Sequence, residues 1–583
     1  MLLPVVPTLI VSHLSVSKPD YRSTYKTISL KTPYATERGA RRMVEALVRP
    51  DQRTDATRIS GSPRARNWTL AVACMGVALV VASMTALNTA LGDLAVATSA
   101  TQSQLTWVVD GYTVALACVL LPAGAIGDRY GRRGALLFGL VVFALGSAAP
   151  AVLNSPVQII AGRAVAGVGA AFVMPATLSL LTVAYAKEER IKAVGIWAGT
   201  AGSGGVLGML GSGLLLRFWD WHAIFWSLGI AGLAIFALGC TVSSSRDDNA
   251  PRIDSLGAIL IGTAVAISVA AILEAPDRGW SDPLVWGGLG AGAIIAVVFG
   301  VVEFRLGSRN GHPLLDVRLF GDPSFATGVA TIVVLFGATF GFFYLGMQYV
   351  QQIMGYSPLM TAIAFGPFMV PLGIFSAFSF WYVPKLGLRL VLFLGTLLMA
   401  VGFVCMEVLD LHSTFLDLAW PTLILSTGIG FCTAPTTSAI MGAVPDQKQG
   451  VASAVNDTSR EMGGALGIAV AGSILAGRYS NELAPRLADF PVPVRGPATD
   501  SLAKAVQVAG KLGPQGNHLA EVSKAAFLAA MHASTMVMAV IVAVAAVLIG
   551  LWAPGRDERQ LSLVRRTVSA RRHLPAGIHR LVS

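Results

Sequence analysis

Two groups of charged residues stand in stretches otherwise too apolar to hold them, and their spacing suggests work for them. Asp457, Arg460 and Glu461 fall at i, i+3 and i+4 within the segment from Gly450 to Gly467, so a helix puts all three on one face. Asp110 precedes Asp128 by eighteen residues. That is five turns at 3.6 residues each, so these two also share a face. Arg163 stands alone in Arg163-Ala-Val-Ala-Gly167-Val-Gly169. Ionisable side chains inside apolar segments are costly and mark ion, proton or substrate pathways. A carboxylate held away from water can take up and release a proton and can attract a cation. A buried arginine stays charged and can hold or neutralise such a carboxylate.

Asp128 also belongs to a second pattern, Gly124-Ala-Ile-Gly-Asp128-Arg129-Tyr-Gly131-Arg132-Arg133. Gly124 permits close helix packing, Gly131 permits a tight turn, and Asp128 can meet a helix N-terminus and the nearby arginines. Together they describe a charge-and-dipole latch that holds one arrangement of helices and breaks when they move. A third pattern, Gly204-x-x-x-Gly208-Met209-x-x-Ser212-Gly213, allows close packing and bending of one helix. His222 and His532 fall near the ends of apolar stretches and read as interfacial. Nothing in the chain resembles a P-loop, a zinc-protease helix or a nucleophile elbow. No cofactor or metal site is expected, the five cysteines are expected to be free thiols, and an enzyme is the remote alternative.

The elements that must hold these residues are membrane helices. The 583 residues are 54% hydrophobic and only 13% charged, about half the charged share of a soluble domain. Trp68–Leu91 runs 24 residues without a charge and Ser255–Ile272 runs 18, and about 20 apolar residues span a bilayer as a helix. Fourteen spans are predicted, near 67–91, 105–126, 134–153, 156–184, 190–216, 221–241, 255–274, 283–304, 325–350, 359–383, 389–408, 417–443, 449–475 and 525–552. The long segment 476–524 is expected outside the cell, with short helices near Ser501–Leu512 and His518–Lys524.

The formal charge of +11 sits in the tails. Residues 1–66 are net +7, residues 554–583 net +5, and the body between them net −1. This is a membrane orientation signal rather than a nucleic-acid surface: basic flanks stay in the cytoplasm and meet anionic lipid heads. The loops agree. Asp128–Gly134, Lys187–Lys192 and Arg305–Arg318 are basic and predicted inside, whereas Gly92–Gln104 has no Lys or Arg and is predicted outside. An even number of spans returns the Arg-rich C-terminus to the cytoplasm, and no cleavable signal peptide is evident.

The Gly124–Arg133 pattern resembles the signature loop of the major facilitator superfamily, and the resemblance extends over about residues 67–552. Fourteen spans are similar to its drug:proton antiporter branch, the QacA- and EmrB-like exporters. Trp107-Val-Val-Asp110-Gly-Tyr112, Pro313-Leu-Leu-Asp316-Val-Arg-Leu-Phe320, Gly355-Tyr-Ser-Pro358 and the Gly450–Gly467 span resemble that branch too. The resemblance implies an all-α polytopic fold with two six-helix bundles, at 67–241 and 325–553, and two further spans inserted within 242–324. It implies alternating access around a central cavity and proton-coupled export of amphipathic, cationic drugs across the plasma membrane. An exporter of one endogenous metabolite or lipid is the alternative. Asp110, Arg163, Asp457, Glu461 and Asn88 would serve protons or substrate. Gly124, Asp128, Arg129, Gly131, Arg132 and Arg133 would form the latch, and Gly204, Gly208 and Gly213 the antiporter-type motif. Expected partners are small molecules, protons and membrane lipids, with the protein acting as a monomer.

Three departures from the branch are visible. Met209 stands where its motif has Pro, Ser212 where it has Gly, and Ser83 where its first span has a carboxylate. Asp110 is therefore expected to carry more of the coupling, from the outer part of the cavity. The second latch, Pro384-Lys-Leu-Gly387-Leu-Arg389, lacks the acid.

Overall fold

The computed structural model describes residues 62–555, except for 101, 154, 187–188, 244–253, 309–312, 446–447, 489, 511 and 513. The predicted basic tails at 1–66 and 554–583 lie almost wholly outside the described residues. Thirteen helices among the described residues are long and apolar enough to cross a membrane. In chain order the long helices are α1 (Pro63–Ala86), α2 (Gln102–Tyr130), α3 (Arg132–Ala148), α4 (Pro156–Ala184), α5 (Arg190–Phe218), α6 (His222–Gly239), α7 (Ser255–Arg278), α8 (Pro283–Ser308) and α9 (Pro323–Gln348). They continue with α10 (Gly366–Ala377), α11 (Leu388–Cys405), α12 (Phe415–Gly442), α13 (Gln449–Leu483) and α14 (Pro514–Trp552).

The one predicted span outside the thirteen is α13. It carries Asp457, Arg460 and Glu461, so its apolar character is diluted, yet its residues from Gln449 to Glu461 are all buried. Neighbouring helices, not lipid, surround that half, and this is what lets it hold three charges.

The predicted span 359–383 is broken. Pro358–Ala364 and Ser379–Leu386 flank α10, with irregular residues at Phe365 and Phe378. Pro367 lacks the N–H that would bond the preceding turn, and its ring clashes with the carbonyl four residues back, which stops the helix there. In segment 476–524 the expected helix near Ser501–Leu512 exists as Leu502–Ala509. The expected helix at His518–Lys524 is instead the first part of α14, and Val492–Asp500 is an additional helix, with Pro497 inside it.

The helices form two bundles. In the first, α1 packs on α5, α3 on α4 and α6, and α2 on α4; in the second, α9 packs on α13, α11 on α12 and α14, and α10 on α12. The two meet along α2–α13 and α5–α10. Small residues allow these approaches, as is usual where lipid supplies no hydrophobic drive between helices. A Cβ on Gly169 of α4 would come 2.3 Å from the Phe143 nitrogen of α3. The inserted α7 lies against α2 and α13, so it touches both bundles, while α8 packs chiefly on α7. Accordingly α8 leaves Trp286, Ile294, Val297 and Phe304 exposed, whereas most of α4 is buried. All five cysteines are free thiols.

Candidate functional site: an interbundle latch and an aromatic cavity

α2 ends where α13 begins. Asp128, in the last turn of α2, accepts hydrogen bonds from the backbone N–H of Gly450 at 2.8 and 3.0 Å and of Val451 at 3.2 Å. These are among the first N–H groups of α13, which have no partner within their own helix. Asp128 thus caps a helix of the other bundle and meets the positive end of its dipole. The Arg132 Nε and Nη2 atoms donate to the same carboxylate at 2.9 and 2.8 Å. Asp128 is 6% and Arg132 3% exposed, so water competes little.

The glycines of the pattern each have a place. Gly131 has φ of +115°, a conformation costly for any side chain. A Cβ on Gly124 would come 2.4 Å from the Gly450 carbonyl oxygen, so the two bundles touch backbone to backbone. Arg133 donates to the Cys240 carbonyl at the end of α6, and the Arg129 guanidinium lies 5.4 Å from the Tyr130 ring centroid. Among the described residues no carboxylate clasps the equivalent seam between α5 and α10 in this way. Arg389 instead donates from Nε to the Ala553 carbonyl at the end of α14, and Gly195 meets the Ser376 backbone.

A cavity of about 60 Å³ lies between the bundles. It is walled by α1, α4 and α5 on one side and by α9, α10, α12 and α13 on the other. It is far smaller than the ~300–1,000 Å³ of a drug pocket. Its lining is apolar and aromatic, with Phe336, Phe340, Phe343 and Phe368, and its charged members are Arg460 and Glu461. The Arg460 guanidinium sits 4.4 Å from the Phe336 ring centroid and 5.6 Å from that of Trp197. Nη1 lies 3.5 Å from Asp457 Oδ1, which also accepts from Asn456 Nδ2 at 3.1 Å. Asp457 Oδ2 is buried without a hydrogen-bond partner among the described residues.

The predicted triad is therefore one cluster, with Arg460 and Glu461 at the cavity and Asp457 beside them in the protein interior. The aromatic wall escaped the sequence reading. Its signal was present, since Phe336, Phe340 and Phe343 fall at i, i+4 and i+7.

Arg163 is 1% exposed, and its partners among the described residues are neutral. It donates from Nη1 to the Ser83 hydroxyl at 2.9 Å, from Nη2 to the Ser83 carbonyl at 3.2 Å and from Nε to the Val108 carbonyl at 3.1 Å. Its guanidinium lies 4.3 Å from the Tyr112 ring centroid. Among the described contacts it makes no ion pair with Asp110. Asp110 itself does not line the cavity, which corrects its expected position. It shares a helix stripe with Val114 and Ala117, and these pack against α7 and α13 in a separate apolar cluster with Val265, Val269 and Ala465. Asn88 lies in the 3₁₀ turn Leu87–Thr89, and its side chain is outside the described residues.

The glycine motif of α5 packs on α1. A Cβ on Gly208 would meet the Ala82 carbonyl at 2.4 Å, and one on Gly204 the Val81 Cβ at 3.0 Å, while Gly213 faces Leu359 in the short helix before α10. Thr85 Oγ1 donates to the Gly205 carbonyl at 2.7 Å, and Thr89 Oγ1 to Ser212 Oγ at 2.8 Å. Ser212 thus adds a hydrogen bond where the related motif has a bare glycine.

Comparisons with known proteins agree with this architecture. The Major Facilitator Superfamily profile matches residues 73–468. The multidrug resistance protein Stp of Mycobacterium tuberculosis is 31% identical over 73% of this chain and 78% of its own length. The tetracenomycin C resistance and export protein of Streptomyces glaucescens is 29% identical over 83% of this chain and 91% of its own. Among solved structures, the inward-facing, unoccupied bacterial homologue of the human lysosomal transporter Spinster aligns with a TM-score of 0.56 at 14% identity, covering 86% of this chain and all of that one. With its helical bundles, interbundle seams and central cavity, the chain belongs to the Major Facilitator Superfamily and is a multi-pass membrane transporter of its drug-exporter branch.

Proposed function

We propose that this protein exports amphipathic, cationic compounds across the bacterial plasma membrane in exchange for protons, working as a monomer with both termini in the cytoplasm. The observation that carries the reading is the α13 cluster. Two carboxylates, Asp457 and Glu461, stand beside a single arginine at an aromatic cavity between two bundles. Aromatic faces attract cations, and a carboxylate that can be protonated or can face a cation, but not both at once, couples the two fluxes by competition. Asp128 and its partners hold the cytoplasmic end shut, and in this arrangement the cavity is too small for a drug. Rocking that breaks the Asp128 contacts opens it to the inside.

The relatives support the substrate class in name: one is a multidrug resistance protein, another exports tetracenomycin C. The second of these also supports the alternative, a dedicated exporter of one metabolite. The deciding experiment uses purified protein in liposomes with an imposed pH gradient, a panel of lipophilic cations and neutral drugs, and an internal pH dye. Cation uptake accompanied by proton movement is expected. Export of a single compound from the panel would favour the alternative, and cation transport without proton movement would overturn the coupling.

A further inference from the structure

Arg460 occupies the place that a substrate cation needs. Its guanidinium stacks near Phe336 and Trp197, lines the cavity next to Glu461, and approaches Asp457 at the long distance of 3.5 Å. A planar delocalised cation on aromatic faces, near carboxylates, is also the chemistry of a lipophilic organic cation. Position 460 follows Asp457 by one helical turn and precedes Glu461 by one residue. A rigid movement of the helix carries Arg460 and the two acids together.

We infer that Arg460 is a tethered counter-cation that fixes the charge the cavity accepts: with two carboxylates and one built-in positive charge, one negative charge remains for a substrate, so the site takes monocations and rejects dications. The contacts fit this role. Asp457 Oδ2 has no hydrogen-bond partner, and Glu461 has no ion-pair partner among the described residues, so Arg460 does not saturate the two acids. An incoming monocation finds Glu461 and the Phe336, Phe340 and Phe343 wall, while a second positive charge on the same molecule meets the guanidinium. Like-charge juxtaposition at such a site is a means of excluding the wrong ligand. The inference rests on the proposed cation-exporter reading and narrows it to a charge class.

The test measures binding of tetraphenylphosphonium, a monocation, and of a bis-quaternary ammonium compound of similar size to the purified full-length protein in nanodiscs. The quantity read is the ratio of dication to monocation affinity, in which a general loss of binding cancels. In Arg460→Gln and in Arg460→Met, which fills the space without charge, the ratio should rise about tenfold or more. In Arg460→Lys, which keeps the charge and loses the planar fork, it should stay within about twofold of the parent. A ratio unchanged in both neutral variants overturns the inference while leaving the cation-exporter reading intact. Cation binding by neither the parent nor any variant overturns both.

Discussion

Arg163 and Ser83 are joined twice, Nη1 to the hydroxyl at 2.9 Å and Nη2 to the carbonyl at 3.2 Å, in a place where both residues are shut off from water. The resemblance to drug:proton antiporters places a carboxylate at this position. Here serine keeps the hydrogen bonds and gives up the charge. Serine cannot carry a proton at physiological pH, so under the proposed coupling the titrating role falls to carboxylates elsewhere, of which Glu461 lines the cavity.

The first prediction concerns that link. Ser83→Ala removes one hydrogen bond from a buried cation and should cost about 1.5–3 kcal/mol, read as a lower apparent melting temperature in detergent. Ser83→Asp should restore an ion pair with Arg163 and leave the melting temperature equal or higher. A stability for Ser83→Ala equal to the parent's would mean that the Val108 and Tyr112 contacts suffice.

The second concerns the latch. Asp128→Asn keeps a polar side chain in place but removes a charge that faces both a helix N-terminus and Arg132. The dipole contact alone is worth about 0.3–2 kcal/mol, and an uncompensated Arg132 adds to the loss. Transport in vesicles should fall at least tenfold with membrane insertion unchanged, and undiminished transport would remove the latch from the mechanism. Gly124→Leu tests the same seam by shape. Its side chain cannot fit against the Gly450 carbonyl, so a cysteine placed near that seam should become more accessible from the inside.

The third concerns coupling. Glu461→Gln should abolish drug-dependent proton movement, measured with a pH dye in liposomes, because the amide keeps hydrogen bonding and loses the proton. Asp457→Asn, one turn away, should have a milder and substrate-dependent effect. Asp110→Asn should reduce transport without abolishing proton movement, since Asp110 lies on the α2 stripe toward α7 and α13 rather than at the cavity. Loss of proton movement in Asp110→Asn alone would return the coupling site to α2.

The fourth concerns topology. In a background with the five cysteines replaced, single cysteines at Ser103 and Gly513 should label from outside, and one at Gly311 only from inside. Outside labelling at Gly311 would refute the fourteen-span orientation.

Much of this protein was legible without coordinates. Apolar runs must become helices in lipid, because nothing else there satisfies the backbone, so thirteen spans follow from composition. The α2 side of the Asp128 contact was legible because its parts are local: Gly124, Asp128, Gly131 and Arg132 lie within ten residues and act through one turn. Helical periodicity also put Asp457, Arg460 and Glu461 on one face.

Periodicity says which residues share a face but not what that face meets, and only the tertiary structure decided that. The stripe of Asp110 is the same as that of Asp128, as expected, yet its outer half is covered by the inserted α7 and by α13, so Asp110 does not reach the cavity. Arg163 found Ser83, eighty positions away in the chain, and the partner Asp128 caps begins over three hundred residues later. Such distant contacts are set by how close two backbones can come, and that depends on glycines in both helices at once, which no single stretch of sequence contains.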